Sequence, residues 1–88
     1  MTIWKFQLAV DDGQVIHMPK GARILCVQLQ RGVPHLWAVV DEKKPMQPRR
    51  IRTIGTGHSF ESNSNLAYIG TYQLDGGNLV FHVFEDVM

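Results

Sequence analysis

The stretch LAYIGTYQLDGGNLVFHVFE, residues 66–85, decides the fold because it is the clearest β-hairpin in the chain. Two runs rich in β-branched and aromatic residues flank the sequence DGGN at 75–78. Paired glycines readily adopt the positive φ angles of a tight reversal. With residues 75–78 as the loop, the expected cross-strand pairs are Leu74 with Leu79 and Tyr72 with Phe81.

The second strand of this hairpin is apolar on both faces. One face carries Leu79, Phe81 and Val83, and the other carries Val80 and Phe84 with His82 between them. A strand that is apolar on both sides needs cover on both sides. No amphipathic helix in the chain is long enough to supply the second cover. The sequence therefore predicts self-association through Val80, His82 and Phe84, most simply as a two-fold dimer. A more tightly closed barrel within one chain is the alternative.

The rest of the chain reads as short strands separated by turn signals. Alternating apolar residues predict strands at 3–10, 14–18, 22–30, 33–41 and 49–54. Asp12-Gly13 predicts a hairpin between the first two, and Arg31-Gly32 predicts the reversal between the third and fourth. Only Ile51 and Ile54 are large and apolar in the fifth strand, which indicates an edge position. Two prolines and three charges in residues 42–48 predict a mobile loop.

These elements predict a single all-β domain over residues 1–88. We expect about seven mostly antiparallel strands in a small barrel or sandwich, with at most one short helical turn near residues 59–65. The expected core contributors are Trp4, Phe6, Leu25, Val27, Trp37, Ile69, Phe81 and Val83.

Composition bounds the class of protein. The formal net charge of +1 argues against a dedicated nucleic-acid binder but allows a local basic patch. Cys26 is the only cysteine, so the 88 residues contain no internal disulfide, as fits a reducing cytosol. The N-terminal residues lack the pattern of a signal peptide, and no run approaches the ~18 apolar residues of a membrane span. We expect a cytoplasmic protein without membrane contact.

Five motifs together resemble a known family. They are IWKF (3–6), GARILCVQLQRGVPHLWAVVD (21–41), IGTGH (54–58), YIGTYQLDGG (68–77) and LVFHVFE (79–85). In this order they are similar to small proteins of unknown function encoded by tailed bacteriophages and prophages. The resemblance implies synthesis in the cytoplasm of a bacterial host, and it brings no activity, cofactor or catalytic residue to map.

The loop Gly55-Thr56-Gly57-His58 is the best candidate for a ligand contact. Its glycines let backbone N–H groups approach a ligand, while Thr56 and His58 offer a hydroxyl and an imidazole. It matches neither a dinucleotide-binding nor a P-loop pattern, so a tight turn that ends a strand is the alternative.

A basic cluster precedes that loop. It comprises Lys43, Lys44, Arg49, Arg50 and Arg52, and the aromatic residues Trp37, Tyr68 and Tyr72 are candidate stacking platforms beside it. Arg49 and Arg52 are the candidate anion contacts within the cluster. Asp41 and Glu42 adjoin it, so a solvated loop is the competing interpretation.

Catalytic and metal patterns are weak. The histidines at 17, 35, 58 and 82 have no local metal-ligand spacing, and Thr56, Ser59 and Ser62 near His58 lack acidic neighbours for a triad. We expect no catalytic residue, no metal and no cofactor.

The sequence therefore favours a non-enzymatic phage accessory protein, a small β-module that binds itself and an unidentified phage or host protein. The alternative is a nucleotide or nucleic-acid binder that uses the basic 43–58 region and counters a host defence by sequestration.

Overall fold

The computed structural model describes residues 1–61 and 65–87. Within them are seven strands and one short 3₁₀ turn at Asp75–Gly77. The strands are β1 (Thr2–Gln7), β2 (Gly13–Pro19), β3 (Arg23–Gln30), β4 (Val33–Val40), β5 (Met46–Gly55), β6 (Leu66–Leu74) and β7 (Leu79–Asp86). Of the helical turn expected near residues 59–65, residues 62–64 lie outside the described part, and residues 59–61 are not helical.

The strands form two antiparallel sheets. One is a three-stranded sheet in the order β1-β4-β3, and the other is a four-stranded sheet in the order β2-β5-β7-β6. The described strands close no barrel, and the two open sheets pack as a sandwich. The prediction of an all-β fold with seven antiparallel strands is confirmed.

The core lies between the two sheets. Each sheet contributes alternate residues from its inner face, as the two-residue period of a strand requires. The buried apolar side chains are Leu8, Met18, Ala22, Val27, Leu36, Ala38, Val40, Ile51, Tyr72 and Val83. Trp4, Phe6, Ile69 and Phe81, all expected in the core, are partly buried against this cluster.

The C-terminal hairpin forms as its sequence predicts. Tyr72 pairs with Phe81, and Leu74 pairs with Leu79 across the loop. Gly76 and Gly77 both have positive φ angles, which explains why glycine occupies both positions. β7 is not an edge, because it lies between β5 and β6 and pairs with both.

The predicted hairpin between β1 and β2 is wrong. β1 pairs with β4, and β2 pairs with β5 in the other sheet. The connection crosses between the sheets: the N–H of buried Leu8 donates to the carbonyl of Pro34, and the Gln14 side-chain amide bonds both backbone groups of Ala9. These contacts satisfy backbone groups of Leu8 and Ala9 that would otherwise have bonded to β2 in the predicted hairpin.

The predicted edge position of the fifth strand is also wrong. β5 lies inside the four-stranded sheet, between β2 and β7, and Ile51 and Ile54 are both buried. β5 also begins earlier than expected, at Met46, so the end of the predicted 42–48 loop is strand. Pro48 is accommodated opposite His17 on β2.

Two of the expected core residues lie elsewhere. The register between β3 and β4 shifts between Ile24 and Cys26, so Leu25 is an unpaired bulge residue and 41% exposed. Ile24 takes its place against the core. Trp37 lies on the outer face of its strand, because its neighbours Leu36 and Ala38 are the residues that point inward.

The hydroxyl of Tyr72 lowers the stability of the core. Its hydroxyl is buried, and no group in residues 1–61 or 65–87 bonds to it. Burial raises the pKa of this phenol. We expect Tyr72→Phe to stabilise the protein by up to about 1 kcal/mol, because it removes an unsatisfied hydroxyl while keeping the ring.

The same residue gives the stability an alkaline limit. The unfolded phenol ionises near its ordinary pKa of about 10, whereas the folded phenol holds its proton to higher pH. Stability should therefore fall as the pH rises above about 10, and less so in Tyr72→Phe. Urea titrations at pH 8 and above pH 10 check this, and equal alkaline losses in both proteins would contradict it.

Candidate binding surfaces

The loop at 55–58 is a tight turn packed on itself. The N–H of His58 donates to the carbonyl of Gly55 at 3.0 Å, and the N–H of Thr56 donates to the carbonyl of Val80 at 3.0 Å. Gly57 has a φ of 86°. The imidazole of His58 folds over Gly55, where a Cβ would lie 3.0 Å from Nδ1. The loop's two donating N–H groups are therefore engaged within the fold.

Thr56 belongs to a chain of side-chain hydrogen bonds centred on His82. The Nε2 of His82 lies 2.7 Å from Thr56 Oγ1, and its Nδ1 lies 3.0 Å from Thr71 Oγ1. Thr71 Oγ1 in turn lies 2.6 Å from the hydroxyl of Tyr68. Each hydroxyl can donate or accept, so the chain suits a neutral imidazole of either tautomer. It fixes His82 and Tyr68 on the outer face of the four-stranded sheet.

Arg49 is part of the structural framework of the sandwich. Its guanidinium forms a two-pronged ion pair with Glu85 on β7, in which Nη2 donates to Oε1 at 2.9 Å and Nε donates to Oε2. Nη1 donates to the carbonyl of Ala22 at 2.8 Å, just before β3 of the other sheet. The hydrogen bond and charge of Glu85 raise the pKa of Arg49 despite its partial burial. Arg49, a candidate anion contact from its sequence, therefore has Glu85 and Ala22 as its partners within the fold.

Arg52 and His58 do come together. They line one depression of about 150 Å³, together with Asp12 and Phe60. Arg49 does not reach it, since its guanidinium is held by Glu85 and Ala22. The presence of Asp12 leaves the depression mixed in charge.

The remaining parts of the predicted basic and aromatic surface are scattered. The backbone N–H groups of Lys43 and Lys44 both donate to Asp41 in the β4–β5 turn. Tyr72 is buried and Trp37 belongs to the other sheet, so of the three candidate platforms only Tyr68 shares a face with Arg52.

The three candidate self-association residues do share one surface. Val80, His82 and Phe84 alternate along β7 and are half-buried on the outer face of the four-stranded sheet. Phe84 pairs with Arg52 on one side and Tyr68 on the other. The rings of Phe84 and Tyr68 meet edge to face at 5.5 Å, and Tyr68 is 62% exposed. We call this surface, formed by Arg52, Tyr68, Thr71, Val80, His82 and Phe84, the β7 face.

Sequence reasoning missed Tyr68 and Thr71 as members of the β7 face. For Thr71 the signal was present in the hairpin register, because the predicted pair of Tyr72 with Phe81 places Thr71 opposite His82. For Tyr68 the bulge between Tyr68 and Gly70 hid the signal, since an unbroken ladder would have placed Tyr68 on the inner face.

No group of three or more metal-ligating side chains occurs among residues 1–61 and 65–87. In the same ranges, no helix is long and apolar enough to cross a membrane.

A family model described as a domain of unknown function, DUF7352, matches residues 1–88. The chain therefore belongs to this family. No curated protein and no solved structure is detectably similar to it.

Proposed function

We propose that this member of a family of unknown function is a non-enzymatic interaction module that forms a homodimer through its β7 face. The observation that carries the proposal is the Tyr68–Phe84 ring pair, which is held in place at the surface. The hydroxyl of Tyr68 is fixed by Thr71, yet 62% of the residue is exposed. A rigid, exposed tyrosine loses little conformational entropy when a partner covers it.

The composition of the β7 face is that of a protein interface. Its centre is aromatic and aliphatic with neutral hydrogen-bonding groups, and charges lie toward the rim, where Arg50 pairs in register with Asp86. Such a centre and rim are the ordinary anatomy of protein interfaces. Charges of both signs on one rim favour a second copy of the chain, because a two-fold axis can bring opposite charges together.

The size of the sheet bounds the affinity. Four strands of about eight residues present a face of roughly 26 Å by 19 Å, or roughly 500 Å². Two copies would bury roughly 1,000 Å² in total, at the lower end of specific interfaces. We therefore expect a reversible dimer with a dissociation constant in the micromolar range.

The resemblance to small phage and prophage proteins supports the wider part of the proposal. It suggests an accessory protein made in the bacterial cytoplasm, whose dimer presents its remaining surfaces to a phage or host protein.

The engagement of both imidazole nitrogens of His82 by threonine hydroxyls supports a structural role for that histidine.

The test is light scattering over a concentration series. We expect the wild-type mass to rise from 10.0 kDa toward twice that value as the concentration passes through the micromolar range. Tyr68→Glu places a charge in the β7 face and should remain monomeric. Ile3→Glu is the matched control, because Ile3 is similarly exposed but lies on the other sheet, and it should dimerise normally.

A monomeric wild type at every concentration would overturn the dimer. Equal losses of association in Tyr68→Glu and Ile3→Glu would show that the β7 face is not the interface. Circular dichroism of both variants verifies that each remains folded.

A second candidate, nucleotide binding by the 43–58 region, is favoured by one observation: Arg52 and His58 line the same depression. If it is correct, Arg52→Ala with His58→Ala should abolish the binding of a nucleoside triphosphate without unfolding the domain. Calorimetry measures this, and unchanged affinity would exclude the depression as the site.

A further inference from the structure

The outer face of the three-stranded sheet is free of acidic residues. The strand sequences TIWKFQ, RILCVQLQ and VPHLWAVV contain neither aspartate nor glutamate. Three cations lie on or beside this face: Lys5 opposite Trp37, Arg23 opposite Val39, and Arg31 in the β3–β4 turn. The net charge of +1 therefore conceals one face of uniformly positive charge.

Two aromatic rings follow one another along the middle strand of this face. Trp37 lies between Lys5 on β1 and Cys26 on β3, and His35 lies two residues before it on the same face. Their ring centroids are 5.7 Å apart with an interplanar angle of 47°. The Nδ1 of His35 lies 2.8 Å from the carbonyl oxygen of Val33, to which it donates. The ring is therefore fixed, and since His35 is only 9% exposed it supports Trp37 from one side and offers no open face of its own.

The cations and the histidine meet in an open depression of about 290 Å³ at one end of the face. Its lining residues are Lys5, Gln7, Gln30, Arg31, Val33 and His35. The ammonium of Lys5 donates to the side-chain oxygen of Gln30 at 2.6 Å, which holds it at the depression. Gln7 and Gln28 lie on either side of His35 in the register of the sheet. Their amides can donate to and accept from an unpaired base.

We propose that this face binds single-stranded nucleic acid. A base stacks on the partly exposed ring of Trp37, and the phosphates contact Lys5 and Arg31 at the depression. An aromatic ring on an open sheet, beside cations that neutralise the phosphate backbone, is the combination that binds single strands with little sequence preference. An acidic peptide would satisfy the cations but would leave the ring of Trp37 without a flat partner, which is why the nucleic acid is favoured.

The site is distinct from the β7 face and from the depression of Arg52 and His58, which belong to the other sheet. A dimer formed through the β7 face would leave it open on both copies.

The experiment measures fluorescence anisotropy of labelled twelve-nucleotide oligo-dT and oligo-U at 50 mM NaCl. Lys5→Gln with Arg31→Asn removes both phosphate contacts, and asparagine suits the positive φ of 53° at position 31. We expect this double variant to bind at least about tenfold more weakly and to show a shallower salt dependence. Trp37→Leu should weaken binding at least about fivefold through the loss of stacking.

The matched control is Lys20→Gln with Lys44→Gln, which removes the same charge from exposed positions in the turns beside the other sheet and should change affinity less than about twofold. Binding lost in this control and kept in Lys5→Gln with Arg31→Asn would place the site on the wrong sheet and overturn the proposal. No binding by wild type at 100 μM protein would also overturn it. So would equal binding of a twelve-residue polyglutamate, since that would indicate charge attraction without stacking.

Discussion

Replacing Gly70 with alanine is expected to destabilise the protein by roughly 2–3 kcal/mol, the cost of overpacking a close contact. β6 and β3 meet where the two sheets join, and a Cβ at Gly70 would lie 2.7 Å from Cγ1 of Val27. Val27 is 4% exposed, and its β-branched side chain has little freedom to turn away. The strand must therefore move, which pulls the sheets apart. The measurement is the free energy of unfolding from urea titration.

A double-mutant cycle isolates this contact. Val27→Ala alone leaves a cavity and should cost roughly 2 kcal/mol. With both substitutions, the new methyl group enters that cavity, so the combined loss should be at least about 1 kcal/mol smaller than the sum of the single losses. Additive losses would mean that Gly70 is not held small by Val27.

Gly13→Ala is the control for the change of residue type. A Cβ at Gly13 would meet only Arg52 Cδ, at an ordinary 3.8 Å. This substitution should leave stability within about 0.5 kcal/mol or raise it slightly through the unfolded chain.

The second large effect is expected at Arg49. Arg49→Met should cost roughly 3 kcal/mol, because it leaves the carboxylate of Glu85 and the carbonyl of Ala22 without their donor. Both ionic side chains are mostly buried, at 16% and 14% exposure. Lysine would not replace Arg49, since a single ammonium cannot present two parallel donors to a carboxylate and a third to a carbonyl. Thermal and urea unfolding measure the loss.

The adjacent Arg50 provides the matched control. It is exposed on the opposite face of the same strand, so Arg50→Met should cost less than about 1 kcal/mol. Joint replacement of Arg49 and Glu85 by methionine should recover most of the loss, because no charge is then left buried without a partner. Equal losses for Arg49→Met and Arg50→Met would show that the ion pair contributes nothing particular.

Local signals in the sequence predicted local structure well. The loop at 75–78 brings together two adjacent strands, and its glycines specify the turn, so the pairing of Tyr72 with Phe81 follows directly. Arg31-Gly32 likewise joins β3 to β4. Asp12-Gly13 gave the same signal and did not form a hairpin. Whether the chain reverses within one sheet or crosses to the other depends on distant hydrogen-bond partners, which periodicity does not reveal. Here the N–H of Leu8 bonds to the carbonyl of Pro34.

Prediction of the candidate site from the sequence was likewise limited by contacts between distant residues. The sequence of β5 shows that Arg49, Arg50 and Arg52 lie within four positions of one another. It does not reveal which of them meets a carboxylate. Glu85 lies on β7, 36 residues further along the chain, and the pairing of β7 with β5 is a long-range contact that the sequence of β5 does not reveal. The common face of Val80, His82 and Phe84 could be predicted because the three residues alternate on one strand. The position of Trp37 on an outer face was not predicted, since Trp37 was expected in the core.

The crossing of the chain between residues 8 and 12 also bears on how fast the protein folds. Of these strands, only β3–β4 and β6–β7 are neighbours both in sequence and in their sheets. β1 can pair only after β4 has been brought to it from far along the chain, and the same holds for β2 and β5. Each of these later pairings closes a long loop before its contacts repay the lost chain entropy. The topology therefore has a high contact order, and folding should take milliseconds to seconds. The two hairpins are the natural nuclei, and the N-terminal strands should join last.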